Sequence, residues 1–202
     1  KTLVMFISDH GMPFPFAKTQ LYHQSTRIPL IFRWPGVTKE DSVDRTHMVS
    51  AVDILPTLDE VIGAEIPRGV DGRTFLPLLN GEPQGDRDRV FKAHNENASG
   101  GRNPMRAVQN RQFLYIFNPW SDGRRAMFSA TNETRTHQRM AELAKDDIQI
   151  ASRLNLLKHR VLEEFYDVQK DPDCLVNLIG DPTYQYEIQQ FRHALEEWLR
   201  DM

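Results

Sequence analysis

The chain holds 202 residues, 40% hydrophobic and 26% charged, with 25 Lys and Arg against 28 Asp and Glu for a net charge of -3. This is material for one large or two small domains with proper cores, and so slight a charge excludes a long-range field that would gather nucleic acid or an acidic membrane. No apolar run approaches the length of a membrane span, and no signal peptide precedes Thr2, although a start at Lys1 directly before a core-like strand reads as that of a truncated chain. A single cysteine, Cys174, excludes an internal disulfide and a cysteine-rich metal site.

Leu3 to Ile7 is a run of five apolar residues, the pattern of a strand buried on both faces in the parallel sheet of an α/β domain. Such sheets carry their chemistry at the carboxyl ends of the strands, and here the run stops at Ser8-Asp9-His10-Gly11. Gly11 permits a sharp backbone departure, and Pro13 and Pro15 favour an extended loop that delivers Lys18 back towards the strand end. A carboxylate, an imidazole and an ammonium are thereby expected to converge. Alone, an Asp-His pair is weak evidence of a metal site, because Asp and Gly are ordinary turn formers.

Further along, Ile28 to Phe32 reads as a second strand, with Pro29 arguing for an edge or strand-start position, and Lys39 to Thr46 as a loop. Met48 to Gly63 reads as a helix capped by Asp53 and stopped by Gly63; a place before a helix favours capping over catalysis for Asp53. The Gly81 to Asp86 segment is the best linker, which divides the chain into 1–80 and 81–202. Arg89 to His94, a long strand through Met105–Val108 and Gln112–Phe117, and Glu164 to Val168 predict a small antiparallel sheet. Apolar residues from Met140 to Leu157 recur at helical spacing, so Asn132 to Arg160 is expected as a helix on that sheet, capped by Asn132 or Thr134, with Arg135, Arg139 and Lys145 on its solvated face. In the tail, Asp181 can cap, Pro182 suits the first position, and Tyr184, Ile188, Phe191, Leu195 and Trp198 make one apolar stripe, with Glu187, Glu196 and Glu197 as surface charges off it. Asn97-Ala98-Ser99 and Asn132-Glu133-Thr134 fit the glycosylation acceptor pattern, which arises often by chance.

The order of these blocks carries a resemblance. Ser8-Asp9-His10-Gly11, the turn containing Tyr22, and Ile28-Pro29-Leu30 running into Trp34-Pro35-Gly36 resemble the last core strands of the sulfatase family, and Met48 to Gly63 resembles its Val-Asp-x-x-Pro-Thr helix. Within sulfatases, Gly11-Met12-Pro13-Phe14-Pro15, Lys18-Thr19-Gln20-Leu21-Tyr22 and Asn103 to Arg111 are similar to the N-sulfoglucosamine sulfohydrolase (heparan N-sulfatase) type. His10 stands where that type more usually has Asn, and Lys18 where it has Arg.

The resemblance covers essentially the whole chain and implies an α/β fold: the C-terminal part of a sulfatase-like α/β sandwich, residues 1–80, followed by a small antiparallel sheet with a terminal helix, residues 81–202. It implies a hydrolase of sulfate esters or sulfamates on a sulfated saccharide, working with the N-terminal part of the same protein in a periplasmic, secreted or lysosomal setting. Asp9 and His10 are then expected at a divalent metal, calcium first by the hardness of the carboxylate, and Lys18 and His10 are expected to act on the transferred group. His94, Glu96, Asn97, Arg102 and Arg106 become candidates for gripping the sugar. Sulfatases use a formylglycine made from a Cys or Ser in Cys/Ser-x-Pro-x-Arg; Cys174 lacks the Pro and the Arg at those offsets, so the nucleophile is expected upstream and this chain alone is expected to be inactive. Phosphonate monoester hydrolases and related phosphodiesterases of the same superfamily also present Ser-Asp-His-Gly, and a non-catalytic binding or packing module is a third reading.

Overall fold

The computed structural model describes residues 2–85, 87–97 and 101–201. The chain forms two compact units, Lys1–Ile7 with Pro29–Val90, and Ser8–Ile28 with Phe91–Met202. A single cut at 80/81 would leave residues 8–28 with the first part of the chain, whereas they pack with the second unit.

In the first unit, β1 (Val4–Ile7) pairs antiparallel with β2 (Leu30–Arg33), Val4 opposite Arg33 and Ile7 opposite Leu30. This corrects the expectation of a parallel strand buried on both faces: Val4 and Phe6 are 50% and 60% exposed, while Met5 and Ile7 are half-buried. An unbroken apolar run does not distinguish two covered faces from one, because alternation is visible only when the uncovered positions are polar. Pro29 stands just before β2, the position open to a residue without an N–H.

A 3-10 turn, Ala51–Asp53, leads into α2 (Ile54–Ile62), which Gly63 ends in the left-handed region at φ 72°. Asp53 stands at the N-cap position of α2, but its side chain makes no capping bond to that helix. Its buried carboxylate accepts from the backbone N–H of Ser50 at 2.7 Å and of Arg73 at 3.0 Å, and takes both arms of the Arg87 guanidinium. With its oxygens so engaged it is a structural anchor of this unit rather than the cap of α2 that its position suggested. The short α3 (Leu76–Leu79) follows Phe75, whose ring meets Phe32 of β2 edge-on with centroids 5.5 Å apart.

The second unit is built on a four-stranded sheet in the order β3 (Arg89–Glu96), β4 (Arg102–Asn110), β5 (Phe113–Phe117), β6 (Glu163–Asp167). The single long strand expected from Met105 to Phe117 is two strands. Asn110 Oδ1 accepts from the backbone N–H of Gln112 at 2.9 Å and of Phe113, and so folds the chain into a hairpin.

Alternation divides the sheet's two faces. Val108, Phe113, Tyr115 and Phe165 face one core with Ile188, Phe191 and Leu195 of α6 (Gln185–Asp201); Met105, Ala107, Leu114, Ile116 and Tyr166 face the other with Phe16, Leu21, Tyr22 and Leu157. The tail is as predicted: the Asp181 side chain accepts from the Thr183 N–H, Pro182 opens a 3-10 turn, and the whole stripe from Tyr184 to Trp198 joins the first of these cores. The single helix expected over 132–160 is broken in two, α4 (Arg135–Leu143) capped by Thr134 and α5 (Ile148–His159) capped by Asp147. Asp147, an N-cap residue inside the apolar period, is the signal that the period alone hides. Arg135, Arg139 and Lys145 are exposed as expected.

Candidate functional site

The Asp9–His10 turn lies in the second unit, at the start of the segment 8–28. His10 Nδ1 lies 2.7 Å from the carbonyl of Gly11, to which it can donate, so that Nε2 is left as the accepting nitrogen; Nε2 is 3.4 Å from Asp9 Oδ2. Both side chains are solvent-exposed, Asp9 at 83%.

Gly11 explains how the chain comes back. A Cβ there would lie 2.3 Å from the carbonyl oxygen of Ala17 and 2.5 Å from that of Gln24, so only glycine admits the contact. Gly11 N–H also donates to the Ser25 carbonyl at 3.3 Å. The loop of Pro13 and Pro15 therefore closes on itself and returns Lys18, next to Ala17, to the neighbourhood of the residue that follows His10. Asp9 and His10 touch directly; among the described residues no hydrogen bond or ion pair joins Lys18 to either.

Lys18 sits between two strained positions, Phe16 at φ 66° and Thr19 at φ 54°. Side chains in that region persist only where surroundings over-determine them, and here they do. Arg153 lies over the Phe16 ring at 3.6 Å, Thr19 meets Ser129 at 3.3 Å, and the side-chain oxygen of Gln20 accepts from Arg160. Tyr22 donates to Glu164 Oε2 at 2.7 Å.

Those last contacts belong to a buried network that the sequence did not disclose. Arg160 and Glu164, each with a fully buried side chain, pair at 2.6 Å; Tyr166 donates to Glu164 at 2.6 Å and Asn118 at 2.9 Å. Burial would push the Glu164 carboxyl up, but Arg160 and the hydrogen bonds outweigh it and hold it below its ordinary value. Burial also drives the Tyr22 hydroxyl well above the usual range, so it stays a donor. Glu164 reads in sequence as one more strand residue; Arg160 is four residues earlier, but it ends α5 while Glu164 lies in β6, so the helical i,i+4 rule does not predict the pair.

The five sugar-gripping candidates divide. Glu96 and Arg102 form an exposed pair at 3.6 Å on the ends of β3 and β4. Arg106 donates to Asn95 Oδ1 at 2.9 Å, and among the described residues its buried Nε has no partner; His94 is half-buried with a hydrogen bond to the Asn103 backbone, and burial lowers its pKa. Asn97 is buried and gives its amide to the Phe128 carbonyl, a structural bond, although its Oδ1 and the Nδ2 of buried Asn103 are also unpaired. Ala98, Ser99 and Gly100, within this candidate loop and one glycosylation tripeptide, lie outside the described residues. Cys174 is fully buried and its thiol is pushed up to about 11 by burial, the environment of an inert thiol.

A protein family described as N-sulphoglucosamine sulphohydrolase, C-terminal, matches residues 9–155 by its sequence profile. The chain belongs to this family. It is 28% identical over 214 residues to the human N-sulphoglucosamine sulphohydrolase, covering 98% of this chain and 41% of that protein. It is 26% identical over 200 residues to an ulvan-active sulfatase of Formosa agariphila, covering 98% of this chain and 33% of that protein. A 2-O GAG sulfatase of known structure superposes with a TM-score of 0.67 at 22% identity, over 98% of this chain and 36% of that one. The fold is thus that of the alkaline phosphatase-like sulfatases, in a chain spanning about a third to two-fifths of its relatives' length.

Proposed function

We propose that this chain is the C-terminal portion of a hydrolase that removes sulfate, as ester or sulfamate, from a sulfated saccharide. The observation that supports the reading is the close approach of Gly11 to the backbone of Ala17, the residue before Lys18, inside the stretch that matches the N-sulphoglucosamine sulphohydrolase family. Lys18 acts as a point charge on a sulfate oxygen, an interaction that strengthens as charge builds on the transferred group. His10, its Nδ1 engaged with the Gly11 carbonyl, presents Nε2 to the same space and orients or receives a proton there.

Among the described residues no group of three or more His, Cys, Asp or Glu comes together to hold a metal ion. Asp9 and His10 nevertheless fit a partial shell: an exposed carboxylate free to bind, and an imidazole whose Nδ1 contact with a carbonyl aims Nε2 beside it. Asp9 and His10 would hold a divalent cation, calcium by the hardness of the carboxylate, only together with ligands from elsewhere in the protein. A bound cation would neutralise the sulfate oxygens. The nucleophile, a formylglycine, belongs to the upstream part of the protein, and the isolated chain is inactive.

In the protein carrying its upstream part, Lys18→Ala should lower turnover about 100-fold or more with the melting temperature unchanged. Steady-state assays on an aryl sulfate and on a sulfated glucosamine test it. An unchanged rate on both would remove Lys18 from the site.

A further inference from the structure

A second polar cluster in this unit has no part in the proposed chemistry. Lys92 of β3 donates from Nζ to Gln109 Oε1 of β4 at 2.5 Å and to Thr26 Oγ1 at 2.6 Å. Gln109 Nε2 lies 2.9 Å from His23 Nδ1, and Thr26 passes its own proton to the Tyr22 carbonyl at 3.2 Å. His23 and Thr26 are the two ends of α1 (His23–Thr26). The groups around them are Arg27, Asp173, whose carboxylate accepts from Gln24 at 3.1 Å, and the buried thiol of Cys174. Two bases thus share one amide.

Glutamine has one oxygen and one NH2 to offer along this line. With the oxygen towards Lys92, the NH2 meets His23 Nδ1, which must carry a lone pair. With the amide turned over, the oxygen accepts from a protonated Nδ1 and the NH2 meets Lys92, which must then be the neutral amine. If both bases are charged, one N–H faces the NH2 with nothing to accept it, inside a site where an unmet donor is costly.

We propose that Lys92, Gln109 and His23 form a relay that holds one proton and excludes a second, making the footing of α1 sensitive to acid. The footing matters because the carbonyl of Ser25 in α1 holds the Gly11 N–H at 3.3 Å and the Gln24 carbonyl abuts Gly11, so Lys92 and Gln109 are positioning residues for the Asp9–His10 turn. Burial lowers the Lys92 amine to about 7, and burial followed by the Lys92 charge lowers His23. Both folded values lie below the unfolded ones, so the unfolded chain binds more protons and stability falls as pH falls, first from the ordinary lysine range towards about 7 and again below about 6.5. The relay is a property of this unit and stands whether or not the protein is a sulfatase.

The test is nitrogen-resolved NMR of the His23 ring in the chain, across pH, with Lys92→Met and Gln109→Glu beside it. At pH about 6 the wild-type ring should remain mostly neutral with its proton on Nε2, whereas an ordinary histidine is already largely charged. Lys92→Met should raise the His23 midpoint by about one unit, a tenfold gain in proton affinity. Gln109→Glu, whose carboxylate accepts from both sides, should raise it further. Equal midpoints in wild type and Lys92→Met overturn the relay. Should Lys92→Met fail to fold, the wild-type ring still decides: a proton on Nδ1 at pH about 6, with or without one on Nε2, overturns it.

Discussion

Two Arg–Glu pairs in the second unit teach how little the pairing itself says. Arg160–Glu164 is fully buried at 2.6 Å, satisfied by Tyr22, Tyr166 and Asn118, and grips the loop that carries Lys18. Glu96–Arg102 is 59% and 80% exposed at 3.6 Å. The first pair is shielded from water and has four polar neighbours, Tyr22, Tyr166, Asn118 and Gln20, so removing one member leaves a charge stranded. The second is screened by solvent and contributes little to stability, which frees it for recognition.

The largest effect should follow from breaking the buried pair. Glu164→Gln leaves Arg160 without its counter-charge and should cost about 3–5 kcal/mol in urea unfolding. The acid limb sharpens the point. Because the Glu164 carboxyl is held below its ordinary value, its contribution is complete above about pH 4.3 and is lost as pH falls through the folded value; the stability profile of Glu164→Gln should be flatter there. A steep, unchanged acid limb would assign that loss to other carboxylates.

Much of the architecture was legible in the sequence because the relevant signals are local. The stripe from Tyr184 to Trp198, the Asp181-Pro182 start and the Gly63 stop each act within a few residues, and each stands where it was read. The loop of the candidate site was legible because a glycine and two prolines shape one short stretch; the contact of Asp9 with His10 stands in the structure, while among the described residues no bond joins Lys18 to either. What escaped depends on burial and tertiary packing. Arg160–Glu164 and Lys92–Gln109–His23 join residues across helix ends and neighbouring strands, and polar residues at those positions read as ordinary strand and loop members. The exposure of Val4 and Phe6 escaped for a different reason: hydrophobicity records what a face can bury, and both faces of β1 are apolar.

A smaller loss should come from Gly11→Ala. The new methyl meets two backbone carbonyls, those of Ala17 and Gln24, and backbone gives way less readily than a flexible side chain, so about 1–3 kcal/mol of stability should go. In the protein with its upstream part, turnover should fall with it as the loop lifts, while Ala17→Gly added to the variant should not restore it, since the clash is with the carbonyl oxygen. Retained activity at normal stability would show that the closure of this loop does not position Lys18.

The smallest effect on stability should come from the exposed pair, and there the comparison turns to function. Arg102→Ala removes an arm 80% exposed and paired at 3.6 Å, so the melting temperature should hardly move, with less than about 1 kcal/mol at stake. On the proposed reading Lys18 and a cation would meet the sulfate, which every substrate of such an enzyme carries, so choice among sugars must come from groups that reach the glycan's own hydroxyls and charges. Near Arg102 stand Glu96, its exposed partner, and the half-buried Arg106, which donates to Asn95 Oδ1 at 2.9 Å, polar groups of the kind a sugar can engage. In the intact protein, Arg102→Ala should therefore weaken kcat/KM on a sulfated glucosamine oligosaccharide about tenfold or more while sparing a small aryl sulfate, whose aglycone offers nothing to hold. Equal loss on both substrates would place the damage at the sulfate site, and no loss on either would return Glu96 and Arg102 to the solvated edge of a hairpin.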